Sequence, residues 1–108
     1  MTFGTNKNEM QSLLNYVLET AALFRKCDEY AQSKILKEKC AELIGALSHF
    51  ERNRKGSFNE ILEELSQVLI YCFAFIICAN IPCEELIVEV TKKYNIISII
   101  LKKEVKTQ

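Results

Sequence analysis

Proline and glycine are nearly missing from this chain: one proline and three glycines in 108 residues. Breaks in regular structure are therefore few, and each is expected where a helix starts or stops. An excess of charge is missing too, since 14 Lys and Arg offset 14 Asp and Glu. A duplex-binding protein normally carries a basic surplus to neutralise phosphates, so the balance argues against nucleic acid as the main partner. There is one histidine, His49, and the five cysteines (Cys27, Cys40, Cys72, Cys78, Cys83) form no CxxC pair. That removes a zinc centre of the usual spacing. The polar start, residues 1–8, carries no secretory signal, and the odd cysteine number does not suggest a disulfide framework. A reduced, cytoplasmic compartment is expected, with the thiols serving as small buried apolar groups. A long apolar run is also lacking. The most apolar stretch, 68–79, is short against the ~20 residues of a spanning helix. It reads instead as a helix buried on all sides, with no membrane partner.

What is abundant is hydrophobicity, at 49% of the residues. The length suits one domain, 1–108, with 1–8 as a flexible tail. A chain this short leaves much of its surface in water, and so large an apolar share exceeds what a small monomer hides easily. A homo-oligomer, dimer or tetramer, follows as an expectation.

Periodicity predicts four helices. The first spans about 9–27 behind Asn8 as N-cap, with Leu13, Leu14, Val17, Ala21 and Phe24 at helical spacing. Asp28 suits the cap of a second helix over 29–50, whose apolar face is Ile35, Leu36, Leu43, Ile44 and Leu47. A polar turn, 51–56, precedes Ser57-Phe58-Asn59-Glu60, a pattern that fits a capping box opening a third helix over 58–78. Pro82 suits the first turn of a fourth helix, where its missing amide hydrogen goes unused, and Glu84 and Glu85 favour the same end. Residues 96–101 are β-branched and read as helix, short strand or a segment packed across a dimer. The fold class is all-α, a four-helix bundle built on a central antiparallel helix hairpin.

The hairpin concentrates the chemistry. Glu42 lies ~15 Å before the turn on the second helix, and Gln67 ~15 Å after it on the third, counting 1.5 Å per residue. Residues three or four apart share a helical face, so Glu38 or Lys39 with Glu42 can oppose Glu64 and Gln67. Carboxylates set between apolar helices need a cation, a base or water. On composition alone, Glu38, Glu42, Glu60, Glu63 and Glu64 read first as solvated helix faces.

These residues stand in a suggestive order: Glu38-Lys39-Cys40-Ala41-Glu42-Leu43-Ile44, then Glu63-Glu64-Leu65-Ser66-Gln67-Val68. Downstream come Ile81-Pro82-Cys83-Glu84-Glu85-Leu86 and Lys92-Lys93-Tyr94-Asn95. Over about 32–95 the chain resembles the MazG-type nucleoside triphosphate pyrophosphohydrolases, whose motifs run Glu-Glu-x-x-Glu and Glu-x-x-Asp. The resemblance implies a MazG-like helical fold and a site in which four carboxylates hold Mg2+ for attack at the α–β phosphate bond. By position those ligands fall on Lys39, Glu42, Glu64 and Gln67, so only Glu42 and Glu64 remain as metal-binding carboxylates. Glu38 matches the motif's leading glutamate. Lysine cannot ligate while protonated, and its ammonium beside Glu42 and Glu64 can replace the ion electrostatically.

The reading is a non-catalytic MazG-like protein, a pseudoenzyme that binds or sequesters a nucleotide or signalling nucleotide and needs no cofactor. Lys39, Gln67, Arg54, Lys55, Lys92 and Asn95 are the candidate ligand-binding residues. Arg52 and Lys93 are further phosphate contacts, and Phe50, Phe58 or Tyr71 could stack a base. Each of these is equally a solvated charge or a core aromatic. An active Mg2+-dependent hydrolase, with Glu38, Glu42 and Glu64 catalytic, is the alternative. A protein-interaction or inhibitor module is the third class. His49 lacks an evident nucleophile and reads as polar surface.

Overall fold

A computed structural model describes residues 6–24, 26–53 and 57–107. Among the described residues the protein is all-α, with four helices and no strand: α1 (Lys7–Ala22), α2 (Glu29–Asn53), α3 (Phe58–Cys78) and α4 (Cys83–Thr107). Arg54 and Lys55 lie outside the described residues.

The first helix starts and stops earlier than its periodicity predicts. Asn6, not Asn8, is the N-cap: its side-chain oxygen accepts from the Glu9 backbone N–H at 2.9 Å. Lys7 and Asn8 are already helical, and α1 ends at Ala22, with Leu23 at its C-cap. Asp28 does cap the second helix, its Oδ1 accepting from the Tyr30 N–H at 3.3 Å. That helix then continues through Asn53, beyond the expected 50. The third helix has the predicted bounds, but the capping box does not form. Ser57 makes no side-chain cap bond, and Glu60 turns across the hairpin instead. Residues 96–101 are helical, because α4 runs unbroken through them.

The α3 helix is the centre of the fold, with α2 packed along one flank and α1 along another. Small residues allow the close approach: Ala21, Ala46 and Ala74 are fully buried, one on each of the three helices. Tyr71 of α3 meets Phe24, just past α1, at 5.4 Å between ring centroids. The Cys78 thiol, at the end of α3, donates to the Cys27 carbonyl before α2. Two expectations of burial are corrected here. The 68–79 stretch is only partly covered, since two helices shield α3 and its remaining side is open; within it only Ala74 and Cys78 are buried. The cysteines are likewise not uniformly interior, because Cys27, Cys40 and Cys83 are exposed. By length and composition α3 could also cross a bilayer.

The fourth helix packs against none of the other three. Asn80, at φ 55°, carries the chain through the left-handed region after α3, and the Ile81 N–H closes back onto the Ile76 carbonyl. Asparagine tolerates that conformation because its short polar side chain bonds locally. The turn sends α4 outward with Ile87, Val90, Tyr94, Ile97 and Leu101 each more than half exposed.

Gly45 departs from the expected role of glycine as a helix boundary, lying inside α2. A Cβ added there would meet nothing within 4 Å. Gly45→Ala is therefore expected to raise stability by about 0.5–1 kcal/mol, since alanine loses less backbone freedom on folding. Ala74→Leu, on the fully buried face of α3, is expected to cost about 1–3 kcal/mol through overpacking. Urea unfolding followed by circular dichroism checks both, and the two midpoints should move in opposite directions.

Candidate functional site

The antiparallel run of α2 and α3 brings part of the predicted set together. Lys39 projects from α2 toward α3 rather than into open water, its side chain only 23% exposed. Its ammonium lies 3.5 Å from Glu42 Oε2, three residues along the same helix. It also sits 5.8 Å from the centroid of the Tyr71 ring on α3, a cation–π placement. Tyr71 had two readings in the sequence, as a base-stacking or a core aromatic. In the structure it packs against Phe24 and lies under the Lys39 ammonium.

Glu64 completes the cluster from α3. Its Oε2 is buried and has no hydrogen-bond donor among the described residues. Burial comes first in pushing the Glu64 carboxyl above its ordinary range; a hydrogen-bonding contact with Glu42 follows, then the charges of Glu42 and Glu63, while Lys39 pulls the other way. Two carboxylates can share a hydrogen bond only when a proton sits between them. The pair thus holds one proton more readily than two separate glutamates would. Gln67 stands one turn further along α3, half-buried.

Other candidates are placed elsewhere. Glu38 is exposed on α2. Lys92 pairs with Glu89 at 3.3 Å on the surface of α4. Asn95 is also on α4, its carbonyl accepting from the Ser98 hydroxyl at 3.3 Å. Because α4 stands apart, neither residue joins the Lys39–Glu42–Glu64 cluster within one chain. Near the loop end of the hairpin, His49 Nδ1 meets Glu60 Oε1 at 3.1 Å, a tie across the two helices that sequence reasoning missed. The signal was available: each residue lies about one turn of helix from the connecting loop, on helices that run antiparallel.

The donor set fits a two-metal centre poorly. Magnesium favours several anionic oxygens in octahedral order. Here two carboxylates and a neutral amide oxygen accompany an ammonium bonded to one of those carboxylates. No group of three His, Cys, Asp or Glu side chains suited to a metal occurs among the described residues. What the cluster can do is hold a positive charge at the hairpin and offer it, half-shielded, to an anion. Comparison with protein-family models, characterised proteins and solved structures returns no significant match for this chain.

A carboxyl held above its unfolded range binds its proton more tightly when folded, so its contribution to stability falls as pH rises from the ordinary carboxylate range through the raised value. Glu64→Gln removes that dependence. The variant is expected to have a higher urea midpoint than the parent at pH 7, with the gap narrowing toward pH 4 as Glu64 becomes protonated anyway. An unchanged gap across that range would show that the two glutamates do not compete for a proton.

Proposed function

We propose that this chain is a MazG-like nucleotide-binding protein that holds a nucleotide or signalling nucleotide without cleaving it. The observation that carries the reading is the inward-turned Lys39, bonded to Glu42 at 3.5 Å at the position where the family it resembles keeps a metal-ligating carboxylate. A fixed ammonium there does part of what a bound ion does, because it offsets Glu42 and Glu64 and presents positive charge to a phosphate. It does not supply an activated water, which is why binding is separated from hydrolysis. Gln67 adds neutral hydrogen-bonding capacity beside it. Lys92 and Asn95, with Arg54 and Lys55 of the turn, are the further phosphate and base contacts in this reading.

The finer architecture belongs to the same proposal. A MazG-like four-helix bundle requires a fourth apolar helix on the open side of α3, which α4 of a single chain does not supply. A homo-oligomer in the cytoplasm, dimer or tetramer, is the setting that satisfies both the bundle and the exposed apolar surface. Glu42 and Glu64 on adjoining helices near the middle of the hairpin support burying α3 in protein rather than in lipid, where paired acids are costly.

Two other readings each have an observation behind them. The buried, donor-less Glu64 Oε2 next to Glu42 favours a cation at that point, and with it an Mg2+-dependent pyrophosphohydrolase using Glu38, Glu42 and Glu64. The exposed apolar face of α4 favours a protein-interaction or inhibitor module.

Titration calorimetry of the pure chain against a panel of nucleotides, with Mg2+ and with a chelator, separates these readings. The expected result is binding that survives chelation and weakens about tenfold or more in Lys39→Ala, the loss of one charge-assisted hydrogen bond. Binding only with Mg2+, accompanied by pyrophosphate release that Glu64→Ala abolishes, would replace the proposal with the hydrolase. Heat from no nucleotide under either condition would sink both.

A further inference from the structure

The surface area of the single chain is out of proportion to its mass. It exposes 9077 Å², whereas a compact folded monomer of 12.5 kDa exposes about 6,200 Å². The surplus, about 2,900 Å² for each chain or about 5,800 Å² for two, reaches the top of the range that permanent subunit interfaces bury in total. No large side chain is fully buried among the described residues, so the chain lacks the interior that its composition could supply.

Two apolar surfaces contribute to the surplus and suit one another. One is the apolar stripe of α4, where Ile87, Val90, Tyr94, Ile97 and Leu101 alternate at three and four residues, the spacing of a helix that lies along another helix. The other is the bare side of α3 where it meets α1. There a groove of ≈ 690 Å³ is lined by Met10, Leu14, Leu69 and Phe73, and a second of ≈ 340 Å³ by Leu13, Leu62 and Leu65. The groove is polar only at one end, with Asn6, Lys7 and Gln11.

Charge fixes the direction in which the two surfaces meet. Helix α4 opens with Glu84 and Glu85 and carries Lys102 and Lys103 near its far end. Lys7 marks the groove beside Phe73, and Glu63 lies toward the opposite end of α3, whereas Glu60 is turned to His49 of α2. Antiparallel to α3, the acidic start of α4 meets Lys7 while its lysines lie toward the Glu63 end. A chain's own α4 is directed elsewhere by the left-handed turn at Asn80, which leaves the groove open to the same helix from another copy.

We infer that two copies of this chain exchange their fourth helices, each α4 seating its Ile87–Leu101 stripe in the α1–α3 groove of the other. Such an interface is isologous, and it closes after two subunits. It stands apart from the nucleotide reading, since neither surface includes Lys39 or Glu64.

Sedimentation of the full chain over the micromolar range tests the exchange, with circular dichroism confirming that each variant keeps its helices. The wild-type chain should run as a dimer, twice 12.5 kDa. Ile97→Asp on the helix and Leu69→Asp in the groove should each weaken association about a hundredfold or more, because each would place a charge in an apolar seat. Mixing the two variants leaves one intact helix–groove contact and should restore heterodimer. Lys7→Glu should weaken the dimer less, and Glu85→Lys should recover part of that loss. A monomeric wild-type chain would overturn the inference. So would a dimer indifferent to Ile97→Asp, variants that fail to complement, or a wild-type chain that partitions onto phospholipid vesicles in place of dimerising.

Discussion

The open side of α3 is the constraint on which the rest of the structure depends. This helix is apolar around most of its circumference, yet α1 and α2 cover only two of its sides. Burial of apolar area is the main favourable term in folding, at about 25 cal/mol per Å², so a helix of this kind left partly bare forgoes a large share of its stabilisation. Every other feature answers to that shortfall. The alanines draw α1 and α2 close, the aromatic pair of Phe24 and Tyr71 fills the angle between them, and α4 presents a matching stripe that its own chain does not use.

Polar chemistry is placed where the packing tolerates it. Glu42, Glu64 and Lys39 lie on the α2–α3 flank, away from the bare side, and Tyr71 links the two regions by touching both Lys39 and Phe24. A lysine in this position is fixed by a carboxylate and a ring face together. In the proposed binding role that restraint would lower the conformational entropy lost when an anion arrives, a general route to affinity. The same restraint keeps the two glutamates from repelling each other fully, although Glu64 still holds its proton more firmly than an ordinary carboxyl.

Much of this was legible in the residues, for identifiable reasons. The bounds of α3 followed from the Ser57–Phe58 start and from Asn80 and Pro82 beyond its end, although the capping box that marked the start is not made. Asp28 capped as its residue type suggests. The inward side of α2 was readable from spacing, which put Lys39 and Glu42 on one face. Four things were not readable. Asn6 and Asn8 are equally good caps by type, and only the backbone path selects between them. Glu60 had two partners open to it, the amide of a capping box or His49 across the hairpin, and local sequence shows only the first. The covering of 68–79 depends on where α4 goes, which follows from the backbone path through 79–82, with Asn80 at positive φ, and not from the apolar pattern of either helix. Lys92 and Asn95 were grouped with the hairpin residues by motif order alone, and order in sequence does not fix which helix faces which.

That torsion has a mechanical consequence. The fourth helix, 25 residues, is a rigid arm about 37 Å long, mounted on a pivot of four residues between Cys78 and Cys83. A rotation of about 30° at the pivot would sweep its tip through about 19 Å, further than a helix is wide. The helix-to-helix connection that contains the proline also holds a residue at positive φ, so rigidity and an unusual backbone angle are combined in the same joint. Nearly a quarter of the molecule is aimed by it.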